Sequence, residues 1–321
     1  MSSTCSLRLL VITLMQFSLI ACSTSAPQAS PGPGAPAAPA PFTPTPTGPG
    51  PQTTLPRQPV EYGTPVKVTT APLTARPTIT AKRALVVDFE TGRVLFQKNP
   101  DERVAVASTQ KLLTALCIVE DGNLTKQVTV KPTDTRIEPT KLYLRAGETY
   151  QRRDLVRALL VKSGNDVAKV LARDNAGSQA EFSQVMNAKA RSLGMYNSNF
   201  VNAHGLTEPG QFSTARDLSL LARECLKNPF IRDCIRTKEY TFRYSDGRTK
   251  QLKNTNKVLR RLAYCNGMKT GTTNASGRCL VSSGTLNGRT AIAIVLGATS
   301  ATVWDESEAL LKWALERPAA R

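Results

Sequence analysis

Ser108 and Lys111 stand three positions apart at the start of an apolar, helix-forming run that extends to about Asp121. Positions i and i+3 of an α-helix share a face, so the lysine amine can reach the serine hydroxyl. A serine becomes nucleophilic when a base takes its proton, and a lysine can be that base if burial or a nearby cation lowers its pKa. Alone, the pair is more typical of a helix-capping serine with a surface lysine.

Two later segments favour a catalytic interpretation of Ser108 and Lys111. Ser163-Gly164-Asn165 lies between two helix-forming stretches, and Lys269-Thr270-Gly271 opens a β-forming stretch. Each of these segments alone is compatible with a turn or an edge strand. The order S-x-x-K, S-x-N and K-T-G, at a helix start, a loop and a strand, is typical of penicillin-binding proteins and class A β-lactamases.

On these motifs the chain resembles the D-alanyl-D-alanine carboxypeptidase family of serine peptidases, the low-molecular-weight penicillin-binding proteins. The resemblance covers about residues 82–316 and includes the segments ALVVDFETGRVLFQKN, LRAGETYQRRDLVRALLVKSGND, NAHGLTEPGQFSTARDLSLLAR and NGMKTGTT. Three positions depart from what many relatives carry there, namely Thr255, Thr272 and Ser276. These departures bear on substrate preference and leave the acyl-transfer class unchanged.

The resemblance implies a role for each motif residue. Ser108 would attack the carbonyl between two D-alanines, and Lys111 would be its general base. Ser163 and Asn165 would stand across the cleft, with Ser163 relaying a proton to the leaving amine and Asn165 bonding Lys111 or the substrate amide. The expected site contains no metal and no cofactor.

Substrate binding is expected from the third motif. Lys269 would add positive potential near Lys111 and the substrate carboxylate, and Thr270 would hydrogen-bond that carboxylate. Gly271 would let the strand backbone approach the substrate. The backbone N–H groups of Ser108 and Thr272 would form the oxyanion hole.

The single histidine of the chain, His204, limits the alternatives. A Ser-His-Asp triad would have to use it, and a site with several histidine ligands for a metal is excluded. Within the resemblance, the segment that contains His204 is structural or lines the cleft.

The N-terminus predicts export. Arg8 followed by the apolar run LLVITLMQFSLIA is typical of a signal peptide, over residues 1–21, and Leu19-Ile20-Ala21-Cys22 resembles a bacterial lipobox. Lipidation of Cys22 would anchor the chain to a membrane without spanning it. An ordinary signal peptide with an incidental cysteine is the alternative.

Residues 22–80 are predicted to be a linker. Fifteen of the 21 prolines lie between Pro27 and Pro77, among small and polar residues that cannot bury enough apolar surface to fold. Residues 81–321 would then form the catalytic domain.

The formal net charge of +18 indicates an anionic partner. Nucleic acid is not expected, because the basic residues are dispersed and the chain carries an export signal. The anionic envelope is the better match.

Five cysteines fall in the predicted domain, which leaves at least one unpaired or paired with another chain. Cys225 and Cys234 could close a short loop around Pro229. The pairing of the five stays open: Cys117, Cys225, Cys234, Cys265 and Cys279.

The element pattern predicts the fold class. A strand pair over residues 84–99 precedes a helical block over about residues 108–226, and further strands precede a final helix at 305–316. This order predicts an α/β (α+β) protein of the β-lactamase/transpeptidase type, in which helices flank an antiparallel sheet and a helical subdomain carries the S-x-N motif.

The hypothesis from sequence is an exported lipoprotein that removes the terminal D-alanine from the pentapeptide of peptidoglycan and is acylated by β-lactam antibiotics. A DD-endopeptidase or a β-lactamase could use the same site. A second alternative is a cell-wall-binding protein without catalytic activity.

Overall fold

A computed structural model of the chain describes residues 75–316. Its strands form one five-stranded sheet and two separate two-stranded pairs. The strands are β1 (Arg83–Asp88), β2 (Val94–Lys98), β3 (Gln127–Thr129), β4 (Thr149–Gln151), β5 (Glu239–Arg243), β6 (Thr249–Lys253), β7 (Cys265–Thr273), β8 (Gly277–Leu286) and β9 (Arg289–Ala298). The large sheet has the order β2-β1-β9-β8-β7, with every neighbouring pair antiparallel.

The helices fall into a large block between β2 and β5 and a shorter group near the end of the chain. They are α1 (Lys111–Glu120), α2 (Pro132–Thr135), α3 (Arg152–Lys162), α4 (Asn165–Ala176), α5 (Gln179–Ser192), α6 (Ala215–Lys227), α7 (Pro229–Arg236), α8 (Val258–Arg261) and α9 (Val303–Glu316). Ser163 ends α3 in the left-handed conformation, and Asn165 begins α4.

Alternation along the central strands separates two hydrophobic cores, because successive side chains of a strand point to opposite faces of the sheet. Leu85 of β1 and Ile292 of β9 pack with the helical block, including α1, α3, α4 and α6. Val86 and Ala293, one position further along each strand, pack instead with α8 and α9. The sheet is therefore covered by helices on both faces.

This architecture confirms the predicted fold class, an antiparallel sheet flanked by helices with the S-x-N motif in a helical subdomain. The predicted hairpin over residues 84–99 is β1 and β2, which pair antiparallel. The strands predicted before the final helix include β7, β8 and β9, and the final helix is α9.

The start of the first helix differs from the prediction. Ser108 lies in a 3₁₀ turn, Ala107–Gln110, and the α-helix begins at Lys111. Ser108 thus lies on a tighter turn that precedes the helix. Apolar periodicity does not distinguish a 3₁₀ turn from the first turn of an α-helix.

Where the sequence suggests a loop around Pro229, the structure has helix α7. Pro229 is the first residue of this helix, and the Asn228 side chain accepts a hydrogen bond from the Ile231 N–H at 3.1 Å. Asparagine at the cap followed by proline is a regular helix start.

The five cysteines of the described part are buried and unpaired. Cys225 and Cys234 lie in α6 and α7, so they do not close the loop considered above. Burial raises the pKa of the Cys117 and Cys234 thiols to about 12 and of the Cys265 and Cys279 thiols to about 11. The thiols therefore stay protonated at neutral pH.

The predicted signal peptide, Cys22 and most of the linker lie outside the described residues. The last residues of the predicted linker are packed: Ile79 is buried in the second core, and the Thr80 N–H donates to the Glu306 carboxylate at 2.6 Å. Over residues 75–316, none of the helices has the length and apolar character that crossing a membrane requires.

Candidate active site

Ser108 is held where the 3₁₀ turn meets a loop from the other side of the helical block. Ala107, just before it, has a positive φ of 49°. Gly205 has a φ of +86°, and a Cβ on it would lie 2.3 Å from the Ala107 carbonyl oxygen. Only glycine fits at this position. Gly205 therefore allows the backbone of residues 203–205 to pack against the turn that carries Ser108.

Lys111 is fully buried and its amine has three oxygen neighbours. Nζ lies 2.7 Å from the Ser108 hydroxyl oxygen, 2.7 Å from Asn165 Oδ1 and 2.6 Å from the His204 carbonyl oxygen. The last two are acceptors only, and they take two N–H groups of the amine. A neutral amine then has its lone pair available for the Ser108 hydroxyl proton.

The environment favours this neutral form. Burial is the largest effect that holds the pKa of Lys111 well below its usual value, and the positive charge of Lys269 lowers it further. The carboxylate of Asp166 opposes these effects in part. A lysine with a depressed pKa can accept a proton near neutral pH.

The S-x-N residues lie at the junction of α3 and α4. Asn165 is fixed from both ends, because its amide nitrogen donates to the Glu138 carbonyl at 2.9 Å while Oδ1 accepts from Lys111. Of the two partners expected for Asn165, Lys111 is therefore the one it contacts. Ser163 accepts a hydrogen bond from Lys269 Nζ at 2.8 Å.

Lys269 lies on β7 with its side chain fully buried. Its ammonium donates to Ser163 Oγ and, at 3.0 Å, to the Thr270 carbonyl. Burial lowers its pKa to about 7. The two lysines thus lie on either side of the S-x-N junction, each bound to one of its side chains.

Strand β7 forms an edge of the sheet, and its open side faces the Ser108 turn. A Cβ on Gly271 would lie 2.9 Å from the Ser108 nitrogen, so glycine is needed for the strand to approach the turn. The Thr270 hydroxyl is 2.7 Å from that of Thr255. Thr272 is exposed, and Ser276 bonds within the turn between β7 and β8.

These residues surround a cavity of about 380 Å³. Every motif contributes to its lining, which includes Ser108, Ser163, Asn165, Thr270, Gly271 and Thr272. The side chains of Lys111 and Lys269 lie behind that lining. All eight predicted site residues of the three motifs are therefore brought together, with the nucleophile candidate open to the cavity.

The His204 ring makes none of the hydrogen bonds to Ser108 or Lys111 in the described residues. Its backbone carbonyl, and not its ring, contacts Lys111, while its Nδ1 accepts a hydrogen bond from the Leu206 N–H at 3.2 Å. Burial and the nearby lysine lower its pKa to about 3, so the ring is neutral at physiological pH. This geometry fits the structural role expected for His204.

Residues 69–300 match the sequence profile of the D-alanyl-D-alanine carboxypeptidase family. The chain belongs to that family. The resemblance found from the three motifs is thereby confirmed.

Curated relatives carry two related names. The chain is 34% identical over 225 residues to the D-alanyl-D-alanine carboxypeptidase DacF of Bacillus subtilis, a match that covers 68% of this chain and 58% of DacF. It is also 34% identical over 220 residues to a D-alanyl-D-alanine endopeptidase of Pseudomonas aeruginosa, covering 67% of this chain and 70% of that protein. The match thus spans less than two thirds of the length of DacF.

A solved structure shares the fold. The D-alanyl-D-alanine carboxypeptidase of Mycobacterium tuberculosis superposes with a TM-score of 0.71 at 30% identity, covering 76% of this chain and 95% of that one. The described sheet and helices are therefore those of known carboxypeptidase-family structures.

Asp166 was missed as a site residue, although it directly follows the S-x-N motif. Its buried carboxylate accepts hydrogen bonds from the N–H groups of Leu142 at 3.0 Å, Tyr143 at 2.8 Å and Leu144 at 3.2 Å. These bonds tie the loop that includes Pro139 and Thr140, one wall of the cavity, to the start of α4. Asp166 thereby positions both Asn165 and that wall.

Asn202 was missed as well. Its Oδ1 accepts from the backbone N–H groups of His204, at 3.2 Å, and Gly205, at 2.7 Å. This turn orients the His204 carbonyl toward Lys111. The only signal in the sequence was the short spacing between an asparagine and a glycine.

Replacing Asp166 by asparagine is expected to lower the free energy of unfolding by about 2 to 3 kcal/mol, because an amide N–H₂ would face backbone donors in a buried site. Urea unfolding measures the loss, and hydrogen exchange of the amides of residues 142–144 should accelerate. Asp305→Asn, at an exposed helix start, is the matched control and should change stability by less than about 0.5 kcal/mol. Equal effects of the two substitutions would contradict the anchoring role.

Proposed function

We propose that this chain is a serine D-alanyl-D-alanine carboxypeptidase that removes the terminal D-alanine from peptidoglycan stem peptides. The observation that carries the proposal is the buried Lys111 amine, 2.7 Å from the Ser108 hydroxyl and bound on its other sides by two oxygens that only accept. Family membership supplies the substrate class.

In the first half of the reaction, Lys111 takes the hydroxyl proton as Ser108 Oγ bonds to the carbonyl carbon of the penultimate D-alanine. The negative charge on the carbonyl oxygen is received by the N–H groups of Ser108 and Thr272. The C–N bond then breaks, and the proton passes through Ser163 to the departing amine. Free D-alanine and an ester on Ser108 result.

In the second half, water attacks that ester. Lys111 takes a proton from the water, and the proton returns to Ser108 Oγ as the ester bond breaks. Lys269, Thr270 and Gly271 bind the substrate along β7, and Asn165 holds Lys111 in place throughout. A β-lactam would acylate Ser108 by the same first step, with the lactam C–N bond in place of the peptide bond.

A DD-endopeptidase is the second candidate, because one relative of similar identity carries that name. Both reactions break the bond on the carboxyl side of a D-alanine, and they differ only in the group that leaves. Hydrolysis of a β-lactam as the main activity is a third use of the same chemistry. Comparing a pentapeptide, a crosslinked muropeptide and a penicillin as substrates separates the three, and fast penicillin turnover without D-alanine release would exclude the carboxypeptidase.

Ser108→Ala is expected to abolish covalent labelling by a fluorescent penicillin and to lower D-alanine release by several orders of magnitude. Ser192→Ala, on the surface of α5, is the control and should label as the parent does. Thermal unfolding checks that the variant is folded. Undiminished labelling of Ser108→Ala would defeat the mechanism, and so would parent protein that forms no adduct.

Lys269→Met is expected to shift the acidic limb of the pH profile of kcat/KM upward by about one unit. On that limb Lys269 is charged and lowers the pKa of Lys111; without that charge Lys111 keeps its proton to higher pH. Lys250→Met removes an exposed charge outside the cavity and should leave the limb in place. A downward shift in Lys269→Met, or none, would contradict this coupling.

For the N-terminus, we propose export and lipid attachment through Cys22, with residues 22–80 as a tether for a catalytic domain over residues 81–321. Cys22→Ser is then expected to move the protein from the membrane fraction to the soluble envelope fraction. The parent protein should incorporate a radiolabelled fatty acid, and the variant should not. Membrane retention of the variant would count against lipidation.

A further inference from the structure

A second groove, with a volume of about 430 Å³, lies between the loop before β4 and the β5–β6 hairpin. It shares no lining residue with the cavity in front of Ser108. Among the residues that the structure describes, its lining has no carboxylate but has three cations and two tyrosines, namely Arg145, Arg248, Lys250, Tyr143 and Tyr244. The proposed reaction gives this groove no role.

Hydrogen bonds fix both walls of the groove. The Tyr244 hydroxyl donates to the Leu142 carbonyl at 2.8 Å, which joins the hairpin to the loop. The Tyr143 N–H donates to the Asp166 carboxylate at 2.8 Å. Tyr143 has a φ of 65°, a backbone conformation that bulky residues rarely adopt, and it is 62% exposed. The loop therefore holds an aromatic ring in solvent, beside a groove that needs no ordering before a ligand binds.

Two lysines contact this exposed ring. The ammonium groups of Lys141, from the loop, and Lys250, from β6, each lie 5.7 Å from the ring centroid of Tyr143. The two ammonium groups are therefore separated by at most about twice that distance. Like charges at such a separation repel each other, and the cation–π contact of each lysine offsets that repulsion. The ring thus keeps two positive charges close together at the groove.

The arginines of the groove are balanced by carboxylates, whereas these lysines are not. Arg248 pairs with Asp246 at 2.5 Å and with Glu148 at 3.7 Å, and Arg145 lies 3.7 Å from Asp246. Two guanidinium groups thus face two carboxylates. Within residues 75–316, neither lysine of the pair around Tyr143 has an acidic partner. The uncompensated charge at the groove is therefore that of the two ammonium groups.

The shape and charge of the groove define the ligand that it fits. A concave site surrounds a chain more completely than it does a flat surface such as a bilayer. A lysine ammonium binds phosphate as a point charge, and a polymer with repeated phosphates can occupy two such groups at once. The net charge of +18 adds long-range attraction for a polyanion.

We infer that the groove binds a linear, phosphate-bearing polymer of the cell envelope, with Lys141 and Lys250 bound to neighbouring phosphates beside Tyr143. Thr140, which lines the Ser108 cavity, precedes Tyr143 by three residues, so at most about 11 Å of chain separates the two sites. The bound polymer thereby holds the Ser108 cavity next to envelope material. The envelope location follows from the proposed export, whereas the binding itself does not depend on the proposed reaction.

The first test measures binding of fluorescent poly(glycerol phosphate) by anisotropy at several salt concentrations. Lys141→Gln/Lys250→Gln should raise Kd about 5- to 30-fold and reduce the slope of log K against log salt by about two. The control Lys82→Gln/Lys312→Gln removes the same charge just before β1 and on α9, and its Kd should stay within about twofold. Equal weakening in the two double variants would show attraction by net charge alone and overturn the inference.

A second test leaves the charge unchanged. Tyr143→Ala should raise Kd for the same polymer about 3- to 10-fold, because the two ammonium groups lose the ring that holds them together. Tyr143→Phe keeps the ring and should bind as the parent does. Tyr196→Ala removes another exposed tyrosine, 77% exposed, and is the matched control. Binding by Tyr143→Ala as tight as that of the parent would contradict the role of the ring, and thermal unfolding verifies that each variant is folded.

A third test identifies the class of polyanion and separates this inference from the proposed reaction. Polyglutamate and vesicles of phosphatidylcholine with phosphatidylglycerol should bind more weakly than poly(glycerol phosphate), and the double lysine variant should change their binding no more than its control does. Groove-dependent binding of either at equal strength would overturn the assignment to a phosphate polymer. Ser108→Ala should bind poly(glycerol phosphate) as the parent does, so failure of the proposed reaction would leave this binding in place.

Discussion

The site depends on one amine, that of Lys111, whose complete burial disfavours its charged form. Lys111 is enclosed by the helical block, and its neighbours supply two acceptors and one hydroxyl. Burial of a charged ammonium is unfavourable, so the fold itself selects the basic form. Each other feature of the site either keeps this amine in position or brings a substrate to the serine beside it.

Three separate parts of the chain converge on the amine. The turn with Gly205 supplies a carbonyl, the α3–α4 junction supplies Asn165, and α1 supplies the lysine itself. Asp166 and Asn202 add a second layer that orients these groups through backbone N–H donors. Lys111 and Asn165 lie on packed helices, and the Asn202 side chain fixes the turn that carries the His204 carbonyl, so the geometry can hold without substrate.

The sequence predicts much of the fold and most of the side chains of the site. The remaining site groups leave no signal in the sequence for physical reasons. The β-forming runs that follow the helical block predicted strands in the region of β7 to β9, and the order of three motifs predicted which side chains meet. The role of the His204 carbonyl could not be predicted, because a backbone group leaves no trace in residue type. Asp166 was adjacent to a recognised motif, but its hydrogen bonds span more than twenty residues of chain.

The five buried thiols have a practical consequence for the folded state. All of them are enclosed and protonated, and the Sγ of Cys279 donates to the Ser276 carbonyl beside the cavity. A thiol-reactive dye requires an accessible thiolate, so the cysteines in this part of the native protein do not react with it. Unfolding exposes the thiols to solvent and restores their normal pKa. The cysteines of residues 75–316 can thus report on local unfolding, because the rate of their alkylation measures how often this part of the chain opens.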